Sequence, residues 1–248
     1  MKTHLFGYPV HIFSQLEALD WAEQVAASAR SCHVVTLNPE MIMQGEQNNE
    51  LGQALKSADL ALPDGAGLVW ALRKAGNTVN RLPGIEFSEA LLQRAARDGR
   101  PVAIIGAAAP VLEAAIGNLE KKYPGLRIAY SHHGFFPIDE ETRLAEECAA
   151  AQPYVVLVAL GVPRQELWIA RYRTLFPGVI LVGIGGSLDV WSGTIRRAPA
   201  FFRAMNLEWF YRIASQPFGK QGRLKRTYKT LPMFVVKVLL SKFGPSAV

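Results

Sequence analysis

Residues 154–166 read YVVLVALGVPRQE. Seven apolar residues in a row, four of them valine or tyrosine, do not alternate with polar ones. Such a run is a strand covered on both faces, the kind found in parallel sheets. Gly161 then allows a tight turn, Pro163 suits a first helical turn, and the polar Arg164, Gln165 and Glu166 follow. The same order of strand, turn and helix recurs outward in both directions. Strands are expected at His33–Asn38, Leu60–Leu62, Val102–Gly106, Leu126–Ser131 and Val179–Ile184. Amphipathic helical segments lie between them at Gln15–Arg30, Phe87–Asp98, Pro110–Tyr123, Asp139–Ala151 and Pro163–Phe176. The alternation predicts an α/β fold with a doubly wound, mainly parallel, Rossmann-like sheet. In such sheets ligands bind at the carboxyl ends of the strands, so the residues just after each strand are the ones to read.

The chain has 248 residues, half of them apolar, enough for one large α/β core. Cys32 and Cys148 have no metal-like or redox spacing, and a reducing compartment fits them. Met1 to Phe13 lacks the basic start and long apolar run of a signal peptide. Tyr154–Leu160 and Met233–Val236 are too short to span a bilayer, so a cytoplasmic protein is expected. Charge is uneven. From Arg196 onward eleven basic residues face one acid, Glu208, while the remainder holds 16 basic against 20 acidic residues. The division expected is a catalytic domain over 1–195 and a basic amphipathic C-terminal helical appendage over 196–248. In the appendage Phe202, Met205, Trp209 and Ile213 recur at helical spacing after Pro199. Pro217 and Gly219 end that helix, and Lys220–Lys242 mixes basic residues with Leu, Tyr, Met and Phe. A basic tail on a mildly acidic body points to an anionic partner: a membrane, phosphates or nucleic acid.

Four strand-end clusters carry the chemistry. In Thr36-Leu37-Asn38-Pro39-Glu40, Thr36 and Asn38 can hydrogen-bond a ligand, or Asn38 can simply cap the helix opened by Pro39. In Pro63-Asp64-Gly65-Ala66-Gly67, Asp64 is either an N-cap or a general base aimed at an acceptor hydroxyl. After the strand at 154–160, backbone N–H groups near Gly161 could face a phosphate, with Gln165 donating its amide. In Gly183-Ile184-Gly185-Gly186-Ser187-Leu188-Asp189 the spacing is not that of a dinucleotide fingerprint, because position 188 is leucine. Asp189 could pair with a base or ribose, or cap a helix. There is no P-loop, HExxH, GxSxG or Asp-x-Asp, and His4, His11, His33, His132 and His133 form no metal-ligand pattern. No metal and no cofactor is expected, so charge on a departing phosphate would fall to arginines and helix N-termini.

The clusters, in this order, resemble the WecG/TagA/CpsF family of glycosyltransferases, glycosyltransferase family 26. The stretches that carry the resemblance are TLNPEMIMQ (36–44), LPDGAGLVWALR (62–73), GIEF (84–87), HGFF (133–136), VALGVPRQELWI (158–169), VGIGGSLDVWSGTIRRAP (182–199) and LEWFYRIASQP (207–217). The resemblance implies transfer of N-acetylmannosamine or a related sugar from UDP to undecaprenyl-diphosphate-linked N-acetylglucosamine. The reaction would invert the anomeric centre without a metal and serve teichoic acid or exopolysaccharide synthesis. It implies Asp64 as base and Thr36, Asn38 and Gln165 as further catalytic residues. For substrate binding it implies Phe135, Gly161, Gly185, Gly186, Asp189 and Arg81, with Arg212, Arg223 and Arg226 in the appendage meeting diphosphate. Phe135 stands where such proteins often carry tyrosine, Arg164 where lysine is common, Glu86 where aspartate is common and Leu188 where an aromatic is frequent. The partners expected are a UDP-sugar, a polyprenyl-diphosphate-linked acceptor and the anionic inner face of the plasma membrane, with self-association allowed and nucleic acid not expected. The alternative is a non-catalytic nucleotide- or nucleic-acid-binding protein using the basic tail.

Overall fold

A computed structural model describes residues 1–196, Pro199 and residues 223–241, the side chains of 223–229 excepted. Its centre is a six-stranded sheet in which every neighbouring pair is parallel. The strands are β3 (Cys32–Leu37), β4 (Leu60–Pro63), β5 (Pro101–Gly106), β6 (Arg127–His132), β7 (Val155–Ala159) and β8 (Ile180–Gly183), in the order β4-β3-β8-β7-β5-β6. The predicted doubly wound architecture is therefore the one observed.

Side chains alternate across the sheet, and both faces are apolar. Val34, Leu60, Leu62, Ile104, Leu157 and Val182 pack under α1 (Gln15–Ala27), α5 (Gly84–Arg97), α6 (Ala109–Lys122) and α9 (Ser187–Trp191). On the opposite face Val35 and Leu37 meet α2 (Pro39–Gln47), α3 (Asn49–Lys56) and α4 (Ala66–Lys74). Ala103, Ile105, Val156, Val158 and Leu181 meet α7 (Glu141–Ala150) and α8 (Arg164–Tyr172) there. Burial on two sides is the physical reason that these strands read as mostly apolar runs; β6, at the sheet edge, has no buried residue and reads as a mixed sequence. Cys32 and Cys148 are buried and unpaired, as their spacing suggested.

Three elements were not anticipated: helix α3 and the two strands of an N-terminal hairpin. β1 (Lys2–Leu5) and β2 (Tyr8–His11) form an antiparallel hairpin whose turn residues, Phe6 and Gly7, both have positive φ (53° and 79°), the geometry that a two-residue turn demands. The hairpin shields the edge of β4: Ala61 N donates to His11 Nδ1 at 3.0 Å, satisfying a backbone donor that would otherwise face no strand. Helix α5 also begins at Gly84, earlier than Phe87, a shift that matters for the site below.

The last described helix, α10 (Arg223–Leu240), lies within the basic tail. It packs on the body through Phe234 and Val238, both fully buried. Lys237 pairs with Glu46 and lies 4.7 Å from the centre of the Phe6 ring. Met233, Val236, Leu239 and Leu240 remain 51–79% exposed. The tail helix thus has an apolar face on the body and a second apolar surface facing outward. The expected helix around Phe202 to Ile213 lies outside the described residues. Among the described residues no helix is long and apolar enough to cross a membrane.

Candidate active site

Asp64 follows β4, and its backbone N–H donates to Leu37 O of the neighbouring β3. Its side chain does not cap α4. The residue in the capping position is Gly65, at φ 90°, which offers no side chain. Instead Asp64 Oδ1 accepts from Arg81 Nε at 3.2 Å and Oδ2 accepts from Gly84 N at 3.3 Å. Gly84 N is the first N–H of α5, so the carboxylate faces the positive end of a helix seventeen to twenty residues further along the chain. The side chain keeps 27% of its surface open to solvent, against 13% for Arg81. A carboxylate has about four lone-pair positions, and these two contacts leave room to accept a proton from a substrate.

Thr36, near the end of β3, links this carboxylate to the centre of the sheet. Its Oγ1 donates to Gly183 O of β8 at 3.4 Å. Its side chain lies so close to Gly84 that a Cβ there would sit 2.6 Å from Thr36 Cγ2. Glycine at 84 is therefore what lets α5 approach near enough for its N–H to reach Asp64. Asn38 Oδ1 accepts from Met41 N at 3.0 Å and caps α2. The capping reading of Asn38 is thus realised, with the residue still half-exposed at the same rim.

The third and fourth clusters meet each other. Gln165, in the first turn of α8, is 2% exposed. Its Oε1 accepts from Gly185 N at 3.2 Å, and its Nε2 donates to Glu166 Oε1 at 2.9 Å. Gln165 supports the glycine-rich turn from beneath. Gly185 (φ 50°) and Gly186 form that turn, and Asp189 stands in the first turn of α9. Gly161, at φ 76°, closes the turn after β7, and its carbonyl accepts from Gln165 N at 2.8 Å. The backbone N–H of Gln165 is thereby engaged at the start of the helix.

Phe135 arrives from the far edge of the sheet. Its loop follows β6 and folds back over β5, where Gly134 N donates to Ala107 O at 2.7 Å. Arg164 holds the loop to α8: its guanidinium donates to Gly134 O (3.1 Å), Phe136 O (3.0 Å) and Glu141 Oε1 (3.0 Å) and lies 4.4 Å from the centre of the Phe136 ring. Phe135 itself projects outward, 73% exposed. An aromatic held out on a tethered loop is a surface on which a planar ring can stack. From Asp64 after β4 to the loop drawn towards β7 the rim spans three strand spacings, about 14 Å.

Asp64, Arg81, Thr36, Gln165 and the 185–186 turn are thus joined by contacts along the carboxyl ends of β4, β3, β8 and β7. Arg223 and Arg226 stand in the first turn of α10, and Arg212 lies outside the described residues. Among the described residues no cluster of three or more His, Cys, Asp or Glu side chains could hold a metal ion. Sequence reading missed three residues around the site: Gly84, Arg164 as a loop clamp, and Glu166. Fully buried Glu166 Oε2 lies 2.9 Å from Nε2 of His33, 133 positions earlier in the chain. No local pattern signals a partner at that distance.

A model of the glycosyl transferase WecG/TagA/CpsF family matches residues 3–247. Among similar proteins is the N-acetylglucosaminyldiphosphoundecaprenol N-acetyl-beta-D-mannosaminyltransferase of Bacillus spizizenii, 37% identical over 211 residues, covering 85% of this chain and 79% of the relative. Proteins of the same name from Bacillus subtilis (strain 168) and Staphylococcus aureus (strain MW2) are 34% and 32% identical. They cover 83% and 87% of this chain, and 78% and 82% of their own lengths.

Proposed function

The chain belongs to the WecG/TagA/CpsF family of glycosyl transferases, and from that premise we propose that it moves N-acetylmannosamine from UDP to undecaprenyl-diphosphate-linked N-acetylglucosamine. The observation that carries the mechanism is the Asp64 carboxylate, oriented by Arg81 and Gly84 N yet open to solvent at the strand ends. Asp64 takes the proton of the acceptor hydroxyl as that oxygen attacks the anomeric carbon. The bond from that carbon to the diphosphate breaks, UDP leaves, and the configuration inverts. Thr36 and Asn38 line the reaction side. The turn at Gly185 and Gly186, with Gly161, allows the diphosphate to approach backbone closely. Asp189 and Phe135 take the uracil by pairing and stacking. Arg81, Arg212, Arg223 and Arg226 are assigned to substrate, the last three to diphosphate charge, which makes the transfer independent of a metal.

The acceptor keeps its lipid in the membrane, so the enzyme must come to the surface. The reading divides the chain into a catalytic domain, 1–195, and an appendage, 196–248, that rests on the inner face of the plasma membrane. Supporting it are the exposed Met233, Val236, Leu239 and Leu240 of α10, beside basic residues each worth about 1 kcal/mol near an anionic surface. The test is direct. Protein mixed with UDP-N-acetylmannosamine and an N-acetylglucosamine-diphospho-lipid should yield disaccharide-lipid and UDP, at the same rate in excess EDTA. Absence of product would refute the transfer, and loss of the rate in EDTA would refute metal independence.

A further inference from the structure

We propose that the buried pair His33–Glu166 is a positioning device: it fixes the amide of Gln165 so that Gln165 holds the 183–186 turn in shape. The pair has no place in the transfer described above. His33 on β3 and Glu166 on α8 both have fully buried side chains, 2.9 Å apart from Nε2 to Oε2. The other oxygen, Glu166 Oε1, accepts from Gln165 Nε2 at 2.9 Å, and Gln165 Oε1 accepts from Gly185 N at 3.2 Å. A relay of three hydrogen bonds therefore runs from the sheet interior to the backbone of the turn.

The chemistry of the three side chains gives the relay a direction. A carboxylate offers only acceptors, so the Gln165 NH2 must point at Glu166. Its oxygen is then forced towards Gly185, where a backbone N–H needs an acceptor. His33 supplies the N–H that orients Glu166 in turn. His33 Nδ1 has no hydrogen-bond partner among the described residues, so among them the ring's side-chain hydrogen bond is the one to Glu166. The turn is also fitted to the pair. A Cβ on Gly183 would lie 2.3 Å from Glu166 Oε1 and 2.6 Å from Gln165 Nε2, so only glycine leaves room for these head groups. Well-packed apolar side chains would serve stability as well as a buried polar pair does. What they could not do is impose a direction on an amide next to the turn.

The inference rests on the reading that the turn faces the UDP moiety, and the experiment separates the two. Full-length wild type, Glu166→Gln, His33→Leu and His33→Gln are compared by amide hydrogen exchange of the 183–191 region without ligand, and by calorimetric titration with UDP. Glu166→Gln keeps shape but lets the 165 amide turn over; His33→Leu strips the orienting donor; His33→Gln restores an N–H near the position of Nε2. In the first two variants exchange at Gly185 should quicken and the UDP Kd should rise, each about tenfold, the worth of one hydrogen bond. Binding stoichiometry should stay near one, and His33→Gln should stay within about threefold of wild type by the same measure. Unchanged exchange and Kd in Glu166→Gln would overturn the inference. So would a fall in stoichiometry at constant Kd, which reports lost folded protein only. If His33→Leu does not fold, the isosteric Glu166→Gln set against His33→Gln decides. If wild type does not bind UDP, the donor reading fails, and the exchange comparison still decides the relay.

Discussion

Replacing Gly84 with alanine probes how the two halves of the site are held together. The new methyl would lie 2.6 Å from Thr36 Cγ2, 2.9 Å from its Cβ and 3.0 Å from Oγ1. Threonine is stiff at χ1, and Thr36 sits in a strand paired on both sides, by β4 and β8. Relief must therefore come from α5 moving outward. An added methyl in a packed site costs about 1–3 kcal/mol, and the helix preference of alanine over glycine returns at most about 1. A net loss of about 1–2 kcal/mol lowers Tm by roughly 2–8 °C in a chain of this size. The same movement draws Gly84 N away from Asp64 Oδ2, from a bond already at 3.3 Å. Misplacing a catalytic group by about 1 Å costs about a hundredfold in rate. Thermal melting and a UDP-release assay, run well below the melting range, measure both effects. Thr36→Ser in the Gly84→Ala background removes the nearest clashing atom and should restore part of the Tm. Wild-type Tm together with wild-type turnover in Gly84→Ala would refute the reasoning.

Two further outcomes are expected. Met233→Asp with Leu240→Asp changes side chains that are more than half exposed, so the fold should hold while co-sedimentation with anionic vesicles drops at least about tenfold, each apolar group being worth about 1–3 kcal/mol; unchanged sedimentation would exclude α10 from membrane contact. Burial, with help from Lys2, pushes the His11 imidazole down to about 4, from an ordinary value near 6.5. The unfolded chain then binds the extra proton first, so stability is full above about pH 6.5 and falls by about 2–3 kcal/mol as pH drops towards 4. Melting curves across that range should flatten at the His11 position in His11→Asn, whose side-chain oxygen can still accept from Ala61 N; an equal slope in both proteins would show that another group governs it.

The parallel sheet was legible because its strands other than β6 are buried on both faces, and a nearly unbroken apolar run has few other meanings. The hairpin at residues 2–11 was not, since its strands have four residues each and its turn, Phe6-Gly7, lacks the usual asparagine or aspartate. At the site, sequence could point to Asp64 and not choose its role, because a cap and a base need the same carboxylate. Its partners decide which groups orient it, and they lie beyond the reach of a local motif, at Arg81 and Gly84. Gln165 shows the opposite case. Its position in a strand-end turn read as a ligand contact, yet it is buried under the turn, with its oxygen on Gly185 and its nitrogen on Glu166. Spacing along a chain shows which residues share a rim and is silent on which of them lie above it or below it.

The central step of the proposed transfer is the proton taken by Asp64. Asp64→Asn keeps the size of the side chain and one acceptor for Gly84 N, while losing the charge that faces Arg81. The decisive measurement is its kcat for sugar transfer, with Tm followed alongside. The expected result is a fall of about 10²–10⁴-fold at a Tm within a few degrees of wild type. A folded Asp64→Asn protein that turns over within about tenfold of wild type, well under the contribution of a general base, would contradict it.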